Sequence, residues 1–269
     1  MSRPTMHDAM STVTVEMPDA RIARVAFANP ARRHALDAML LDALVERLDA
    51  LAGTRPPPVV ILASATRGDV WSAGHDLREL ADDRDPLAYD KPLERALRRV
   101  RTYPGVVIAA VSGSAWGGAV DLVMSCDLVV ADRSASLAMT PANIGLPYST
   151  SGLLRFYDNL PIHVLKEMFF CAQPLDAEHA AHYGVVNRLV EVGALDAAAL
   201  DVARTIAAKA PLAVQAVKEQ LRVLQDARPM PVDALERIAE LRRLACAGAD
   251  FDEGLQAFAE RRRPAFRGE

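Results

Sequence analysis

The sequence predicts a layered α/β chain that ends in helices alone. Three observations predict it. Short runs of strand length recur between residues 13 and 139, helical repeats stand between them, and after about residue 195 only the helical period remains. That change of character divides the chain into a core over 1–194 and a helical region over 195–269.

The elements follow in order. Val13, Val15 and Met17 alternate with Thr14 and Glu16, and beyond the turn signal at Pro18-Asp19 the residues Ala23, Val25 and Phe27 alternate in the same way. This predicts an antiparallel hairpin that ends at Asn29-Pro30. Leu36, Leu40, Ala43, Leu44, Leu48 and Leu51 recur on one helical face, with Asp37 in the first turn where a carboxylate is favourable. Pro56-Pro57-Pro58 stops the chain, and the β-branched run 59–63 reads as a buried strand. Residues 82–90 are charged and carry a proline, which predicts a surface loop. A basic helix over 93–100, a buried strand over 106–111, a small apolar helix over 117–124 and strands over 128–131 and near 137–139 continue the alternation. In the tail, Leu200/Ala203/Ile206/Ala207, Val214/Val217/Leu221/Leu224 behind Pro211, and Leu235/Ile238/Leu241/Leu244 mark three helices. Their apolar faces either pack on the chain's own core or wrap a neighbouring subunit, and periodicity does not choose between the two.

Composition removes several classes of function. With 31 basic and 35 acidic residues the formal charge is −4, which gives no support to nucleic-acid binding. No apolar run approaches the roughly 18–20 residues that span a bilayer, and residues 1–10 hold no apolar stretch of a signal peptide. Cys126, Cys171 and Cys246 are odd in number, far apart and form no C-x-x-C, as expected of reduced thiols in a cytoplasmic protein. G-x-G-x-x-G, Walker A, G-x-S-x-G and H-E-x-x-H are all absent. His179 and His182 stand three apart on a predicted helix, but no further ligand cluster accompanies them, so no metal site is expected.

Two glycine-containing loops stand out. One is Trp71-Ser72-Ala73-Gly74-His75-Asp76-Leu77 after the strand at 59–63, and the other is Gly113-Ser114-Ala115-Trp116-Gly117-Gly118 after the strand at 106–111, opening a helix. Ligands of layered α/β sheets bind beyond the carboxyl ends of strands, and free N–H groups at a helix start favour negative charge. Each loop alone is explained by a tight turn. Together they offer two N–H donors for one oxygen, an oxyanion hole.

The combination S-A-G-x-D, then about forty residues on a strand and G-x-x-x-G-G, resembles the crotonase (enoyl-CoA hydratase/isomerase) superfamily from the hairpin at 13–27 to the C-terminal end. The resemblance implies a repeated ββα spiral, a C-terminal helical region used for trimerisation, and assembly as a trimer or a dimer of trimers. It thereby tips the tail helices toward contacts between subunits. It also implies an acyl-CoA thioester as substrate, with the backbone N–H groups at His75 and Gly118 holding the thioester oxygen as it becomes an enolate. Hydratases of the superfamily use two glutamates, whose positions correspond here to Asp121 and Ala142. Alanine moves no proton, so a two-glutamate hydratase is not expected, and Asp121 is read either as a residual acid or as a structural partner within the site.

Ser72–Leu77, Asp85-Pro86-Leu87-Ala88-Tyr89-Asp90, Trp116-Gly117-Gly118-Ala119, the run Met139 to Tyr148, and the tail Phe251-Asp252-Glu253-Gly254 through Phe258 to Arg263-Pro264 are similar to the methylmalonyl-CoA decarboxylases within that superfamily. This likeness implies decarboxylation of methylmalonyl-CoA or malonyl-CoA, with His75 and Gly118 as oxyanion donors and Tyr148 beside the substrate carboxylate. It further implies acyl or CoA contacts at Ala73, Gly74, Asp76, Leu77, Trp116, Thr140, Pro141 and Arg261, and no cofactor beyond the CoA carried by the substrate. His34, where the superfamily commonly has asparagine, and Asp121 in place of glutamate are departures. Two other readings remain open at this point: an enoyl-CoA hydratase or isomerase with Asp121 as its lone acid, and a non-catalytic acyl-CoA-binding scaffold.

Overall fold

A computed structural model describes residues 11–80, 85 and 87–268. The chain opens with β1 (Thr12–Asp19) and β2 (Ile22–Ala28), an antiparallel hairpin pairing Thr12 with Ala28, and α1 (Ala38–Ala52) follows. Asp37 is the N-cap of α1 rather than a first-turn residue, because its side chain accepts from the Leu40 N–H at 2.8 Å. Three ββα-like steps come next. They are β3 (Val59–Ser64) and β4 (Val70–Ser72) with α2 (Leu77–Leu80) and α3 (Pro92–Arg101), then β5 (Val107–Val111) and β6 (Ser114–Trp116) with α4 (Gly118–Met124), then β7 (Leu128–Asp132) and β8 (Ser136–Ala138) with α5 (Thr150–Tyr157) and α6 (Ile162–Cys171). In each step the first strand joins a six-stranded sheet of order β1-β2-β3-β5-β7-β10 and the second joins a four-stranded sheet of order β4-β6-β8-β9. β9 (Leu175–Asp176), α7 (Ala177–His182) and β10 (Arg188–Val190) complete the sheets, and α8 (Leu195–Ala207), α9 (Pro211–Asp226), α10 (Val232–Ala247) and α11 (Ala249–Glu260) complete the chain. This is the crotonase-like spiral expected.

The period of two explains the layering. Along β3, Val60 and Leu62 point into the main core with α1, α3 and α4, whereas Val59, Ile61 and Ala63 point to the opposite face, where Leu195, Ala199 and Ala203 of α8 cover them. A strand buried on both faces reads as an unbroken apolar run, as 59–63 does. Each Leu- or Val-sized side chain so buried contributes about 1.5–3 kcal/mol.

The structure departs from the sequence reading at the two loops. Trp71-Ser72 and Ser114-Ala115-Trp116 are strands of the second sheet, not loop. Three residues are too few to display an alternation, so these strands carry no periodic signal. Of the loop expected at 82–90, positions 82–84 and 86 lie outside the described residues, and 87–90 run as turns into α3. The four tail helices differ in exposure. α8 packs on the sheet, α9 buries no residue, α10 buries only Cys246, and α11 buries Phe251, Gly254 and Ala257 against the short 3-10 turn Pro141–Ile144. Gly254 is needed there, since a Cβ on it would lie 2.5 Å from the Ile144 backbone.

Candidate active site

The first corner of the site is backbone. β4 and β6 are parallel neighbours, pairing Val70 with Ser114 and Ser72 with Ala115, so the segments that leave their carboxyl ends run side by side. Within 73–76 the amides of Ala73, Gly74 and Asp76 are committed, to Arg33 O at 2.9 Å, Ser72 Oγ at 3.2 Å and Leu36 O at 3.3 Å. The His75 amide donates to no backbone acceptor among the described residues. Gly117 donates to Ala138 O at 2.8 Å, while Gly118 opens α4 and as its first residue has no intrahelical acceptor. The two spare amides are adjacent: a Cβ built on Gly118 would lie 3.6 Å from the His75 nitrogen, and one built on Gly74 would lie 3.4 Å from the Gly118 nitrogen. Gly74 is fixed as glycine twice over, by φ +83° and by the Trp116 carbonyl oxygen 2.2 Å from where its Cβ would stand. The His75 loop is anchored from behind by Asp76, which accepts from Arg32 Nη1 at 2.7 Å and Arg78 Nη2 at 2.9 Å.

The second corner is side chain. Asp121 sits in the first turn of α4, about 4.5 Å along the axis from Gly118. It is buried, and every polar neighbour donates to it: the Tyr148 hydroxyl to Oδ2 at 2.7 Å, Arg155 Nε to Oδ1 at 2.6 Å and Arg155 Nη2 to Oδ2 at 2.8 Å. Arg155 is shared, because Nη2 also donates to Glu94 Oε1 at 2.7 Å. Ser151 Oγ donates to the same Glu94 oxygen at 2.7 Å. Tyr148 lies just before α5, whose N-cap Ser149 accepts from the Gly152 N–H at 3.1 Å. A Cβ on Gly152 would stand 2.4 Å from the tyrosine ring, so glycine makes room for it, and Phe156 and Phe169 meet the ring edge-on at 6.1 and 5.4 Å between centroids.

Burial pushes the Asp121 carboxyl up from its ordinary value, against the pull of Arg155 and Tyr148. For Glu94 burial acts the same way, but the Arg155 and Ser151 bonds outweigh it and hold the carboxyl low. Burial, then the Asp121 charge, lifts the Tyr148 phenol, so it stays protonated and remains a donor. Burial opposes the charge on Arg155, but Asp121 and Glu94 more than compensate and keep it a cation.

Residues 18–269 match the family model for enoyl-CoA hydratase/isomerase. The chain belongs to the enoyl-CoA hydratase/isomerase family. Within it, the chain is 39% identical over 250 residues to methylmalonyl-CoA decarboxylase of Escherichia coli (strain K12), covering 92% of this chain and 95% of that one. It is 35% identical over 222 residues to carnitinyl-CoA dehydratase of Citrobacter koseri (strain ATCC BAA-895 / CDC 4225-83 / SGSC4696), covering 80% and 84%. A solved structure of methylmalonyl-CoA decarboxylase in complex with 2-nitronate-propionyl-CoA superposes with a TM-score of 0.92 at 38% identity, covering 96% of this chain and 98% of that one.

As a member of this family the chain brings some expected residues together and leaves others apart. His75, Gly118, Gly74 and Trp116 meet at the amide corner, and Asp121 and Tyr148 are bonded to each other. Half-buried Ala73 and Leu77 flank the first loop, and Thr140 and Pro141 open the turn under α11. Ala142 is exposed on that turn. Arg261 stands exposed at the C-terminal end of α11, while its neighbour Arg262 is paired with Glu253 and Glu260. His34, buried in the left-handed region at φ 57°, accepts from the Asn29 N–H through Nδ1 and bonds Thr66 Oγ1 through Nε2. His179 bonds Asp176, the N-cap of its own helix.

Sequence reasoning missed Arg155, Glu94, Ser151 and Gly152. One signal was present: Arg155 stands in Leu153-Leu154-Arg155-Phe156-Tyr157, a lone cation in an apolar helix. Glu94 was hidden in a helix read only as basic. An apolar groove of about 280 Å3 lies between α5 and α6, but none of His75, Gly118, Asp121 or Tyr148 lines it.

Proposed function

We propose that the protein decarboxylates methylmalonyl-CoA, or malonyl-CoA, through a thioester enolate. The observation that carries this reading is that the Tyr148 hydroxyl is bonded to the helix whose first amide is Gly118, while position 142 holds no carboxylate. The likeness to methylmalonyl-CoA decarboxylase supports it.

The bond between Cα and the carboxylate breaks, its electrons pass into the thioester, and CO2 leaves. The thioester oxygen becomes an enolate oxygen that accepts from the amides of His75 and Gly118, each worth about 3–4 kcal/mol to such a transition state. The carboxylate must stand perpendicular to the thioester plane, and Tyr148 donates to it to hold that rotamer. A carboxylate at 142 would repel this anion, and alanine does not. Cα then takes a proton from water to give propionyl-CoA or acetyl-CoA, and the hydroxide left behind combines with the released CO2 as bicarbonate. These steps call on groups of this chain and on water, with CoA entering as part of the substrate. Hydration with Asp121 as a lone acid is disfavoured because the Tyr148 hydroxyl and two Arg155 nitrogens already converge on that buried carboxylate. Acyl or CoA contacts at Ala73, Gly74, Asp76, Leu77, Trp116, Thr140, Pro141 and Arg261 belong to this reading, as does a cytoplasmic location. No helix among the described residues is long and apolar enough to cross a membrane.

Purified protein mixed separately with methylmalonyl-CoA, malonyl-CoA and crotonyl-CoA and read by mass spectrometry tests this. Loss of CO2 from a malonyl-type thioester with crotonyl-CoA untouched is the expected result. Hydration of crotonyl-CoA without decarboxylation, or CoA binding without turnover, overturns it. Assembly as a trimer or dimer of trimers is supported by the apolar residues that α9 and α10 leave exposed, among them Leu212, Leu221, Leu224, Val232 and Leu241. Sedimentation equilibrium is expected to give three or six copies, and a monomer overturns the assembly.

A further inference from the structure

A substrate carboxylate carries no proton, so Tyr148 can hold it only by donating. In the structure that one proton is already given to Asp121 Oδ2, at 2.7 Å. To serve the substrate, the hydroxyl must let go of Asp121. Releasing a bond from a buried carboxylate strands it unless other donors remain, and a stranded buried charge is costly. Here the other donors are present. Arg155 keeps Nε on Oδ1 at 2.6 Å and Nη2 on Oδ2 at 2.8 Å, so each Asp121 oxygen retains a partner when Tyr148 turns away.

Arg155 is held in that posture from the far side. Glu94 of α3 accepts from Nη2 at 2.7 Å and from Nη1 at 3.4 Å, and Ser151 fixes Glu94 in turn. Arg155 and Glu94 are both buried. Neither belongs to the amide corner, and the fork of a guanidinium spans the two carboxylates in a way that an ammonium does not.

We propose that Arg155, clamped by Glu94, is a positioning residue that keeps Asp121 satisfied and so frees the Tyr148 hydroxyl to turn from Asp121 to the substrate carboxylate. The inference rests on the decarboxylase reading. It assigns to Arg155 an effect that passes through Tyr148 alone, and this separates it from a role in holding α4, α5 and α3 together.

Arg155→Lys keeps the buried charge and loses the fork, so it is the variant to make. Its kcat for CO2 release from methylmalonyl-CoA is expected to fall on the order of 10²-fold, the scale of a misplaced contact, with KM changed far less. In a Tyr148→Phe background the same substitution is expected to cost nothing further, because no hydroxyl remains to release. Glu94→Gln, which keeps the shape and the Ser151 bond, is expected to give a smaller loss that also vanishes in the Tyr148→Phe background. A folded Arg155→Lys protein with wild-type kcat overturns the inference, as do equal losses with and without the Tyr148 hydroxyl. If Arg155→Lys fails to fold, the Glu94→Gln pair decides by the same criterion. Absence of CO2 release by the wild-type protein overturns the decarboxylase reading and this inference together, whereas turnover with additive losses overturns the inference alone.

Discussion

One side of the candidate site, His75 with Gly118, is made of backbone, whereas the other, Tyr148 with Asp121, Arg155 and Glu94, is made of side chains. The backbone side is held by strand pairing between β4 and β6 and by a glycine that lets two loops touch. The side-chain side is held by hydrogen bonds among buried charges drawn from α3, α4 and α5. Each side is therefore vulnerable to a different kind of change. A side-chain substitution at His75 leaves its amide in place, so the first side breaks only when the path of the chain is disturbed. The second side loses a function with each single atom removed.

The largest effect on the backbone side is expected from Gly74→Ala. Its Cβ would meet the Trp116 carbonyl oxygen at 2.2 Å, backbone against backbone, at φ +83°. The loops must part, and kcat/KM for decarboxylation is expected to fall about 10²–10³-fold, the scale of one lost oxyanion donor.

Next in size is Tyr148→Phe. The ring keeps its contacts with Phe156 and Phe169, and Asp121 keeps Arg155, so folding is expected to weaken by only about 1 kcal/mol in a urea titration. Steady-state kinetics are expected to show kcat lowered about 10²-fold with CoA affinity nearly unchanged.

A pH titration of stability sharpens the side-chain half. The Glu94 carboxyl is held below its ordinary value, so its ionised form stabilises the fold above the ordinary glutamate range, and that contribution is lost as pH falls through the lowered value. The Asp121 carboxyl is shifted the other way, so its ionised form costs stability at neutral pH, and the cost fades as pH falls through the raised value. Glu94→Gln is therefore expected to lower Tm at neutral pH and to shrink its fall on acidification, as followed by circular dichroism.

The smallest expected effect is the most diagnostic of a backbone site. His75→Ala keeps the amide and is expected to leave kcat within about threefold of wild type, under roughly 0.7 kcal/mol on the barrier. A large loss would mean that the imidazole takes part, and the division drawn above would fail.

The amide corner was legible in the sequence because glycine spacing is local information: Gly74 and the pair Gly117-Gly118 each mark a turn at a strand end. Asp121 and Tyr148 were legible as separate residues. Their bond was not, since it joins positions 27 apart in sequence. Arg155 and Glu94 lie 61 apart and became partners only through the packing of α5 on α4 and of α4 on α3. The strands β4 and β6 were missed because three residues show no period.

The order of long strands and helices, the burial of the strand at 59–63, the change to helices after 195 and the glycines that allow close approach were all legible in the residues. These depend on periodicity and on single-residue conformational freedom, which act over a few neighbouring positions. That α8 covers the sheet while α9 stays exposed, and that a buried arginine is divided between two carboxylates behind Tyr148, emerged from the packing of the folded chain. A buried charge is tolerated only where distant partners arrive to satisfy it, and which partners arrive is set by the packing of whole elements.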